Sequence, residues 1–592
     1  MAAPLGIIYL TSILPFLVVP PTLTYAILRA LNSRAGVSIP TWFTILAVLL
    51  SRPLSSIFQR HYKRYADSRD ATASRAYPIP TVASKAFDFG GFKLMKSLVK
   101  DIQTNYPGEM FGRWTEEYGP VFQLQLPSDD RIVTIEPDHI KAILATQFDS
   151  FYKGPVLFKQ FRSLLGEGVF NSDGELWKFH RSMARPYFSR DRISHFDNFE
   201  EHAANALSQA EKRLAEGYAI DFQDVVARFT LDSATQFLFG YDVQSLSAGL
   251  PYPEAVSHLN TAEFLNHPSN AFVDAFAEGQ QRTSWRTRRG PIWPLMEFWK
   301  DDVQPFRKIV EGYIEPLLHK AIKKKDLEEV IGDKKETGDS GDTLLEDLIQ
   351  QTRDVEILKD ELINLLVAGR DTTASTLTFA FYMLAEHPEI EARLRKEIIS
   401  TVGPNKRPTY DDIREMKYLR AFINEVLRLY PAVPVNNRTS SKSTVWTSKT
   451  PGSKPYYVPA GTRILYSVFL MHRRTDLWGP DALKFDPDRF LDDRVQKYLT
   501  PNPYIFLPFN AGPRICLGQQ FAYQETSFFL IRLMQRFVNF KMAPNAQPEA
   551  SKPPAHWAHG KGSQVTEKVW PLLSLTMAVR GGLWVTMDPL KQ

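Results

Sequence analysis

The chain contains a single cysteine, Cys516, and its neighbours have the residue types that a reactive thiolate needs. Gly512 and Gly518 flank it, which favours a tight turn where the backbone comes close to another group. Arg514 lies two residues before it, and a nearby cation favours the thiolate over the thiol. A good helical segment follows Gly518, so we expect Cys516 at a loop-to-helix junction that faces the positive helix end. A lone cysteine is also often a small buried side chain, but this environment favours a thiolate ligand of the kind that binds haem iron.

Two further pairs of side chains stand at helical spacing. Trp177 and Arg181 are four residues apart in WKFHR, and Glu425 and Arg428 are three apart in NEVLRLYP. Side chains at these spacings share a helix face. Arginine suits carboxylate ligands because its planar donors can bind two oxygens at once. Taken alone, each pair is equally consistent with solvated surface residues, whose pairing contributes only about 0.2–0.5 kcal/mol.

A third constellation, AGRDTTAS, lies within an apolar helical segment of about thirty residues that ends before Pro388. Gly369, followed by Asp371 and Thr372, is unfavourable in the middle of a helix. A threonine hydroxyl can bond back to the preceding turn and open the helix there. The plainest structural interpretation is a bent core helix.

The N-terminal region that precedes these segments differs from the rest of the chain. No charged side chain comes before Arg29, and apolar runs occupy residues 5–19 and 41–50. A spanning helix needs roughly 20 apolar residues, so the first run is long enough only if it continues through the prolines that follow it. The absence of an initial basic segment argues against a cleaved signal peptide. We predict an uncleaved membrane anchor over residues 1–60, whose second run either spans the membrane or lies in its interface.

The distribution of charge supports this interpretation. The chain has a formal net charge of +5, and residues 1–76 contain eight basic side chains but only two acidic ones. A nucleic-acid-binding protein would carry positive charge over its folded body, so we predict no nucleic-acid partner. The basic cluster at 60–64 is expected on the cytoplasmic face, against anionic lipid. A single cysteine permits no intrachain disulfide, which argues against an oxidising compartment for the body.

The rest of the chain is predicted to form a linker and one large body. Residues 61–84 are basic and contain YPIPTV, which we interpret as a stiff linker. Residues 85–592 show no internal repeat and no clean boundary, so they are predicted to be one catalytic domain. The charged, glycine-bearing segment 323–342 is predicted to be an exposed loop between helices.

The body is expected to be mainly helical. Amphipathic periodicity predicts helices over most of 190–240, 300–325 and 355–430. β-Branched and aromatic residues predict strands within 131–140 and 462–470.

The segment FNAGPRICLG resembles the haem-binding loop of cytochromes P450, Phe-x-x-Gly-x-Arg-x-Cys-x-Gly. Every fixed position is filled, by Phe509, Gly512, Arg514, Cys516 and Gly518. The other motifs follow the family's order, including FDPDRF, in which Asp488 replaces the family's glutamate. The resemblance covers most of the body and implies the P450 fold, which is mainly α with a small β-region. Haem would lie between the long distal helix and the Cys516 loop.

The resemblance also implies how the haem would be held. Cys516 would be the axial ligand of the iron. Haem propionates would be bound by Trp177, Arg181, Arg438 and Arg514. Ala368 stands where some fatty-acid-hydroxylating relatives carry a glutamate that is esterified to haem, so non-covalent haem b is expected.

Two further sets of residues receive roles from the same resemblance. Gly369 would leave a groove for dioxygen, Thr372 would donate a hydrogen bond to it, and Asp371 would help to relay protons. Scission of the O–O bond needs protons delivered in a dry site, for which an acid and an alcohol are suited. A structural cluster that locks the haem-side core would consist of Glu425, Arg428 and Arg489.

The implied reaction is a monooxygenation with O2. No flavin or nicotinamide fingerprint occurs in the chain, so electrons are expected from NADPH through a separate partner, NADPH–cytochrome P450 reductase. The other expected partners are membrane lipid and a small lipophilic substrate. The expected location is the endoplasmic reticulum membrane, with the catalytic domain on the cytoplasmic side.

The segments AGRDTTASTLTF and FNAGPRICLGQQFAYQE further resemble the fungal alkane and fatty-acid hydroxylases. This likeness implies a long-chain fatty acid or alkane that is hydroxylated at or near its end. The expected apolar pocket segments are 156–170, 366–367, 433–435 and 577–585. Arg580 is a candidate cation for a carboxylate head group.

Several alternatives stay open at this point. An apolar pocket would equally admit a steroid or a polycyclic aromatic substrate. A P450-type isomerase or dehydratase, and a haem sensor or structural membrane protein, need no proton relay. The presence of both Asp371 and Thr372 disfavours these non-monooxygenase classes.

Overall fold

A computed structural model describes residues 3–34, 36–82, 91–126, 129–188, 196–331, 343–449 and 451–590. The α-helices, in chain order, are α1 (Leu5–Arg34), α2 (Thr41–Ala73), α3 (Phe92–Thr104), α4 (Glu109–Tyr118), α5 (Pro137–Lys141), α6 (Pro155–Leu165), α7 (Gly174–Ala184), α8 (Phe196–Ala215), α9 (Phe222–Phe239), α10 (Ala262–Leu265), α11 (Pro268–Arg289), α12 (Gln304–Ile331), α13 (Leu344–Gln351), α14 (Val355–Glu386), α15 (Pro388–Thr401), α16 (Tyr410–Glu415), α17 (Lys417–Leu429), α18 (Val468–Met471), α19 (Thr475–Trp478), α20 (Gln519–Arg536) and α21 (Ser563–Thr566).

The strands are short and form four small sheets. They are β1 (Tyr77–Pro78), β2 (Val121–Leu126), β3 (Asp129–Thr134), β4 (Phe151–Tyr152), β5 (Ile220–Asp221), β6 (Val435–Ser440), β7 (Thr444–Trp446), β8 (Tyr456–Val458), β9 (Arg463–Ser467), β10 (Phe537–Met542), β11 (Pro571–Leu573), β12 (Met577–Val579) and β13 (Trp584–Pro589). The largest sheet has the order β2-β3-β9-β6-β4, and the others are β1-β8-β7, β10-β13-β5 and β11-β12. The predicted fold class, mainly α with a small β-region, is confirmed.

The main core lies where α9, α14 and α20 meet. Aromatic side chains join these helices, with ring centres 4.3 Å apart between Phe222 and Phe381 and 4.6 Å apart between Phe229 and Phe529. All four side chains are fully buried. Large buried aromatic rings dominate the energetics of such a core, so this junction fixes the position of α14 relative to the helix that follows Cys516.

The sequence explains where α14 begins and ends. The Asp354 side chain accepts from the backbone N–H groups of Glu356 and Ile357, which caps the first turn. Pro388 follows the C-terminus, and a residue before proline is disfavoured in the helical conformation. The helix is 32 residues long, in agreement with the predicted length.

The first two helices stand apart from the core. Helix α1 is continuous through Pro15, Pro20 and Pro21, so the apolar run is not broken there. Helices α1 and α2 are each long and apolar enough to cross a membrane, and few of their apolar residues are buried. Both are joined to the body: the Gly6 N–H donates to the Phe298 carbonyl at 2.9 Å, and Lys63 pairs with Asp130 at 3.5 Å.

Two predicted segments have a different structure. Helix α2 extends to Ala73, and Tyr77–Pro78 pairs in parallel with Tyr456 and Tyr457 of β8. The predicted linker is therefore helix in its first half and part of a sheet further on. The predicted boundary between residues 84 and 85 falls outside the described residues and stays a prediction.

The predicted loop 323–342 is wrong in its first part. Helix α12 continues to Ile331, because the lysine, glutamate and leucine residues of this stretch are good helix formers even when exposed. Residues 332–342 lie outside the described part of the chain.

Candidate functional site

Cys516 lies in a tight loop, three residues before α20 begins. Its N–H donates to the Phe509 carbonyl at 3.0 Å, which closes the loop. Gly512 has a φ of +67°, and a Cβ there would collide with the Leu144 carbonyl, so the position requires glycine. Gly518 is the N-cap residue of α20, and its backbone N–H lowers the pKa of the Cys516 thiol. The predicted loop-to-helix junction is confirmed.

The thiol of Cys516 is both accessible and desolvated. Its side chain is accessible, yet surrounding protein atoms still raise the pKa of the thiol by desolvation. The Gly518 N–H and the Arg181 guanidinium oppose this rise only in part. A thiol in such a place becomes a thiolate ligand when a metal cation displaces its proton.

The cation beside the sulfur is Arg181, so the prediction that Arg514 favours the thiolate is wrong. The Arg514 guanidinium turns away, and it donates to the Ser172 carbonyl at 3.1 and 3.2 Å and to Asp173 at 2.7 Å. Arg181 reaches the loop from α7 and donates to the Ile515 carbonyl at 2.9 Å.

Trp177 completes the junction between α7 and the Cys516 loop. Its buried ring lies 4.3 Å from the Arg514 guanidinium carbon and 5.8 Å from that of Arg181. A guanidinium over an indole face gains electrostatic attraction from the ring. The structure therefore brings Trp177, Arg181 and Arg514 together around one loop, as their motifs require.

Arg438 reaches the same region from β6, together with a residue that the sequence analysis missed. Lys153 directly follows β4, and the pairing of Tyr152 with Thr439 sets it beside Arg438. Burial lowers the pKa of Lys153 well below its usual range, and the positive charges of Arg438 and Arg514 lower it further. No motif marks this lysine, so only the strand register could have indicated it.

Four cations therefore converge near Cys516, and they have few opposing charges. They are Lys153, Arg181, Arg438 and Arg514. Asp173 raises the pKa values of Lys153 and Arg514, but burial and the neighbouring cations outweigh it. Arg438 is buried and the other three are partly exposed. A ligand that carries carboxylates would stabilise such a set of cations.

The predicted oxygen-side residues lie on α14. The Thr372 hydroxyl donates to the Ala368 carbonyl at 2.8 Å, which is the back-bond expected from the sequence. Asp371 pairs with Arg370 at 2.9 Å, while its second oxygen is buried without a hydrogen-bond partner in the described structure. Burial raises the pKa of Asp371, and Arg370 and Gln280 oppose the rise. No direct hydrogen bond joins Asp371 to Thr372 within the described residues.

Gly369 faces the neighbouring helix α9. A Cβ at this position would lie 3.4 Å from the Ala234 Cβ, which is an ordinary packing distance. The packing of α9 against α14 therefore does not require glycine at this position, and the dioxygen groove at Gly369 stays a prediction.

A buried acid connects α14 to the helix of the cysteine loop. Glu525 on α20 accepts from the Ser233 hydroxyl at 2.7 Å. The Thr373 hydroxyl on α14 lowers the pKa of the same carboxyl. Burial raises the pKa of Glu525 to about 8. The sequence analysis passed over this residue because a single glutamate in an apolar helix has no spacing signature.

The Glu425 cluster has the predicted composition. Glu425 and Arg428, both fully buried, form two hydrogen bonds of 2.7 and 2.8 Å. Arg489 lies 3.4 Å from Glu425 and also pairs with Asp481 at 3.1 Å. Arg428 further donates to the carbonyls of His472, Ala482 and Lys484. The cluster joins α17 to the segment that carries Arg489, on the protein interior.

The C-terminal hairpin β11–β12 borders the predicted pocket segments. The Met577 N–H donates to the Ala432 carbonyl at 2.9 Å, directly before Val433, and β12 also packs against α14. Arg580, the predicted carboxylate cation, stacks on Trp570 at 4.2 Å instead of extending from the hairpin.

Comparison with known proteins now identifies the class of protein that this fold and site define. A family model described as Cytochrome P450 matches residues 92–561. The chain is 34% identical over 517 residues to Cytochrome P450 52A9 of Candida maltosa, a match that covers 85% of this chain and 93% of that protein. It is also 34% identical over 526 residues to Cytochrome P450 monooxygenase pvhE of Talaromyces variabilis, covering 85% and 88%.

A third relative, Cytochrome P450 52A3-A of Candida maltosa, is 36% identical over 434 residues, which are 70% of this chain and 77% of that protein. The chain belongs to the cytochrome P450 family, and the predicted enzyme class, a cytochrome P450 monooxygenase, is confirmed. The predicted likeness to fungal members is confirmed as well.

Family membership implies haem and O2, and the residues present fit haem. Cys516 offers a desolvated thiol just before the start of α20, and the four converging cations suit the two propionates. Trp177 adds a donor on the same side. These residues would hold the group without any covalent attachment, since Ala368 offers no carboxyl group.

Proposed function

We propose that this chain is a membrane-anchored monooxygenase that hydroxylates a long-chain fatty acid or alkane at or near the chain end. The observation that carries the proposal is the accessible yet desolvated Cys516 thiol beside four converging cations. Haem bound through Cys516 would supply the activation of O2, from which one oxygen atom enters a C–H bond and the other becomes water.

Asp371 and Thr372 would handle the protons. Burial raises the pKa of the Asp371 carboxyl, and Arg370 holds one of its oxygens in place. The Thr372 hydroxyl donates its hydrogen to the Ala368 carbonyl, and its oxygen can still accept a hydrogen bond. An acid and an alcohol on successive positions of one helix support proton delivery from the α11 side of α14.

The apolar surroundings support a lipophilic substrate. Leu366 and Val367 on α14, Ala432 after α17, and Met577 of the hairpin are buried. Apolar walls discriminate weakly, by about 1–3 kcal/mol per methylene, so several chain lengths should be accepted. The preference for a chain over a ring system rests on the sequence resemblance to fungal alkane and fatty-acid hydroxylases.

The deciding experiment reconstitutes the full-length protein with NADPH–cytochrome P450 reductase and supplies dodecanoate, an n-alkane, a steroid and a polycyclic aromatic. Hydroxylated chain products are expected, and they should disappear in Cys516→His. Reduced, CO-bound wild type should show the red-shifted Soret band of thiolate ligation, and the variant should not. Turnover of the ring compounds alone would overturn the substrate proposal and leave the monooxygenase class intact.

The location proposed is the endoplasmic reticulum membrane, with the body on the cytoplasmic side. The Gly6 end of α1 and the Lys63 end of α2 both touch the body, so the two helices form an antiparallel hairpin that points away from it. Apolar residues beside Phe298 are exposed, including Trp299 at 74%. Five basic residues lie near the body end of the hairpin: Arg60, Lys63, Arg64, Arg69 and Arg75. This excess of basic residues at the body end favours a body on the cytoplasmic side, with both α1 and α2 crossing the membrane.

Glycosylation mapping tests the double span. An Asn-X-Thr acceptor with a flexible spacer, inserted after Val37, should be glycosylated, because the connection between the helices would lie in the lumen. The same acceptor placed before the N-terminus should stay unmodified. The reverse pattern would show a single span by α1, with α2 on the cytoplasmic face.

A further inference from the structure

The last turn of α11 contains three arginines, of which one has no carboxylate partner among the residues that the structure describes. Arg286 pairs with Asp301 at 2.6 Å and also with Glu297, while Arg289 lies 3.9 Å from Glu297. Arg288 forms no ion pair with any residue in the described part of the chain. A ligand carboxylate would supply the counter-charge that the described residues do not give to Arg288.

Arg288 is desolvated although its side chain is still partly accessible. Burial alone lowers the pKa of its guanidinium to about 10, and no neighbouring acid opposes this change. The guanidinium carbon lies 4.7 Å from the ring centre of Trp285, and one nitrogen donates to the Leu573 carbonyl. A guanidinium carries five N–H donors, so donors remain for a ligand beside the contact with Leu573.

The contact with Leu573 connects Arg288 to the apolar hairpin of the predicted pocket. Leu573 pairs with Met577 across β11–β12, and Met577 in turn bonds to Ala432. Leu572 and Leu575 belong to the same hairpin. A cation at one end of an apolar wall that continues to α14 is complementary to an amphiphile with an anionic head and a long apolar tail.

We propose that Arg288 binds the carboxylate of a long-chain fatty acid, whose chain runs along the β11–β12 hairpin toward α14. This inference rests on the proposed function and makes it narrower, because it favours fatty acids over alkanes. Arginine suits the role, since its planar donors bind both oxygens of a carboxylate. Arg580, the sequence-based candidate, is stacked on Trp570 and is not needed.

The test compares dodecanoate with its methyl ester, which has the same chain without the charge. Binding is measured by calorimetry and turnover by kcat and KM, for wild type, Arg288→Gln, Arg288→Lys and the competing candidate Arg580→Gln. The matched control is Arg282→Gln, because Arg282 lies on the same helix and pairs with Glu278 at an exposed position. Arg288→Gln should weaken dodecanoate binding about tenfold or more, raise KM more than it lowers kcat, and leave the ester unchanged. Arg288→Lys should restore part of the loss, and Arg282→Gln should behave as wild type.

Equal losses for acid and ester in Arg288→Gln, or a loss in Arg580→Gln alone, would overturn the assignment. If Arg288→Gln does not fold, the wild-type protein still decides: dodecanoate should bind about tenfold tighter than dodecyltrimethylammonium, whose head group is cationic and has no lone pair to bind iron. Equal binding of the two, or no binding of dodecanoate, would overturn the inference. Binding of dodecanoate without hydroxylation of any chain substrate would overturn the proposed function alone.

Discussion

The Asp173 carboxylate accepts from Arg514 at 2.7 Å and from the backbone N–H groups of Lys153 and Gly154 at 2.9 and 3.0 Å. One acid therefore sets the positions of two cations that come from distant parts of the chain. Asp173 is also the residue that precedes α7, which carries Trp177. The cysteine loop, α7 and the segment after β4 are joined through this single side chain.

Lys153→Met should weaken the retention of haem. It removes one of the four converging cations without changing the backbone that Asp173 holds. A charge-assisted hydrogen bond is worth about 1.5–3 kcal/mol, so haem transfer to apomyoglobin should become about tenfold faster. Lys159→Met, at an exposed position on the neighbouring helix α6, is the matched control. Identical transfer rates for the two variants would remove Lys153 from the haem site.

Thr372→Ala should keep the haem spectrum but separate NADPH consumption from product formation. Loss of a proton donor costs about 10²-fold or more in proton-transfer efficiency, so peroxide should replace hydroxylated product. The measurement is product and peroxide formed per NADPH. Thr378→Ala is the control, because Thr378 is buried on the same helix and makes the same back-bond, to Ala374 at 2.7 Å. If both variants are equally coupled, Thr372 takes no part in proton delivery.

Glu425→Ala should give little folded, haem-loaded protein. Arg428 would keep its burial but lose its counter-charge, and such a loss typically costs about 3–5 kcal/mol. Domains commonly have only about 5–15 kcal/mol of stability. Glu175→Ala serves as the control, since Glu175 also pairs with a residue three positions along, Lys178, but both are exposed. Comparable yields and melting temperatures for the two variants would contradict a structural role for the cluster.

Local motifs predicted the parts of the site that one segment specifies by itself. The Cys516 loop, the length of α14 and the Glu425–Arg428 pair all depend on spacing within a few residues, where glycine conformation and helix periodicity decide the outcome. Arg489 in FDPDRF was assigned to the Glu425 cluster from the family resemblance, because spacing alone cannot predict a contact between distant segments.

The missed residues depend on tertiary neighbours. Lys153 and Arg438 meet through strand register, and Arg288 is distinguished from Arg286 only by which carboxylates lie nearby. The cation acting on Cys516 is Arg181 from another helix, not the arginine two positions away. Charge composition also misled the prediction for 323–331, since lysine and glutamate are compatible with an exposed helix as well as with a loop.

Because Glu525 is buried, the free energy of unfolding should depend on pH at values above the ordinary pKa of a carboxyl group. In the folded protein burial raises its pKa to about 8 from 4.5. Between these values the folded state binds more protons than the unfolded state, so the free energy of unfolding falls as pH rises. The contribution is fully present below about 4.5 and is lost as pH rises through about 8. Each pH unit in this window removes up to about 1.4 kcal/mol.

Glu525→Gln tests this relationship, because glutamine stays neutral and can still accept from the Ser233 hydroxyl. The variant should gain stability relative to wild type as pH rises from about 5 to about 8, when thermal midpoints are recorded at a fixed scan rate. Glu175→Gln, at an exposed position, should give a curve parallel to wild type. A parallel curve for Glu525→Gln as well would mean that Glu525 is ionised in the folded protein, with a partner that lowers its pKa.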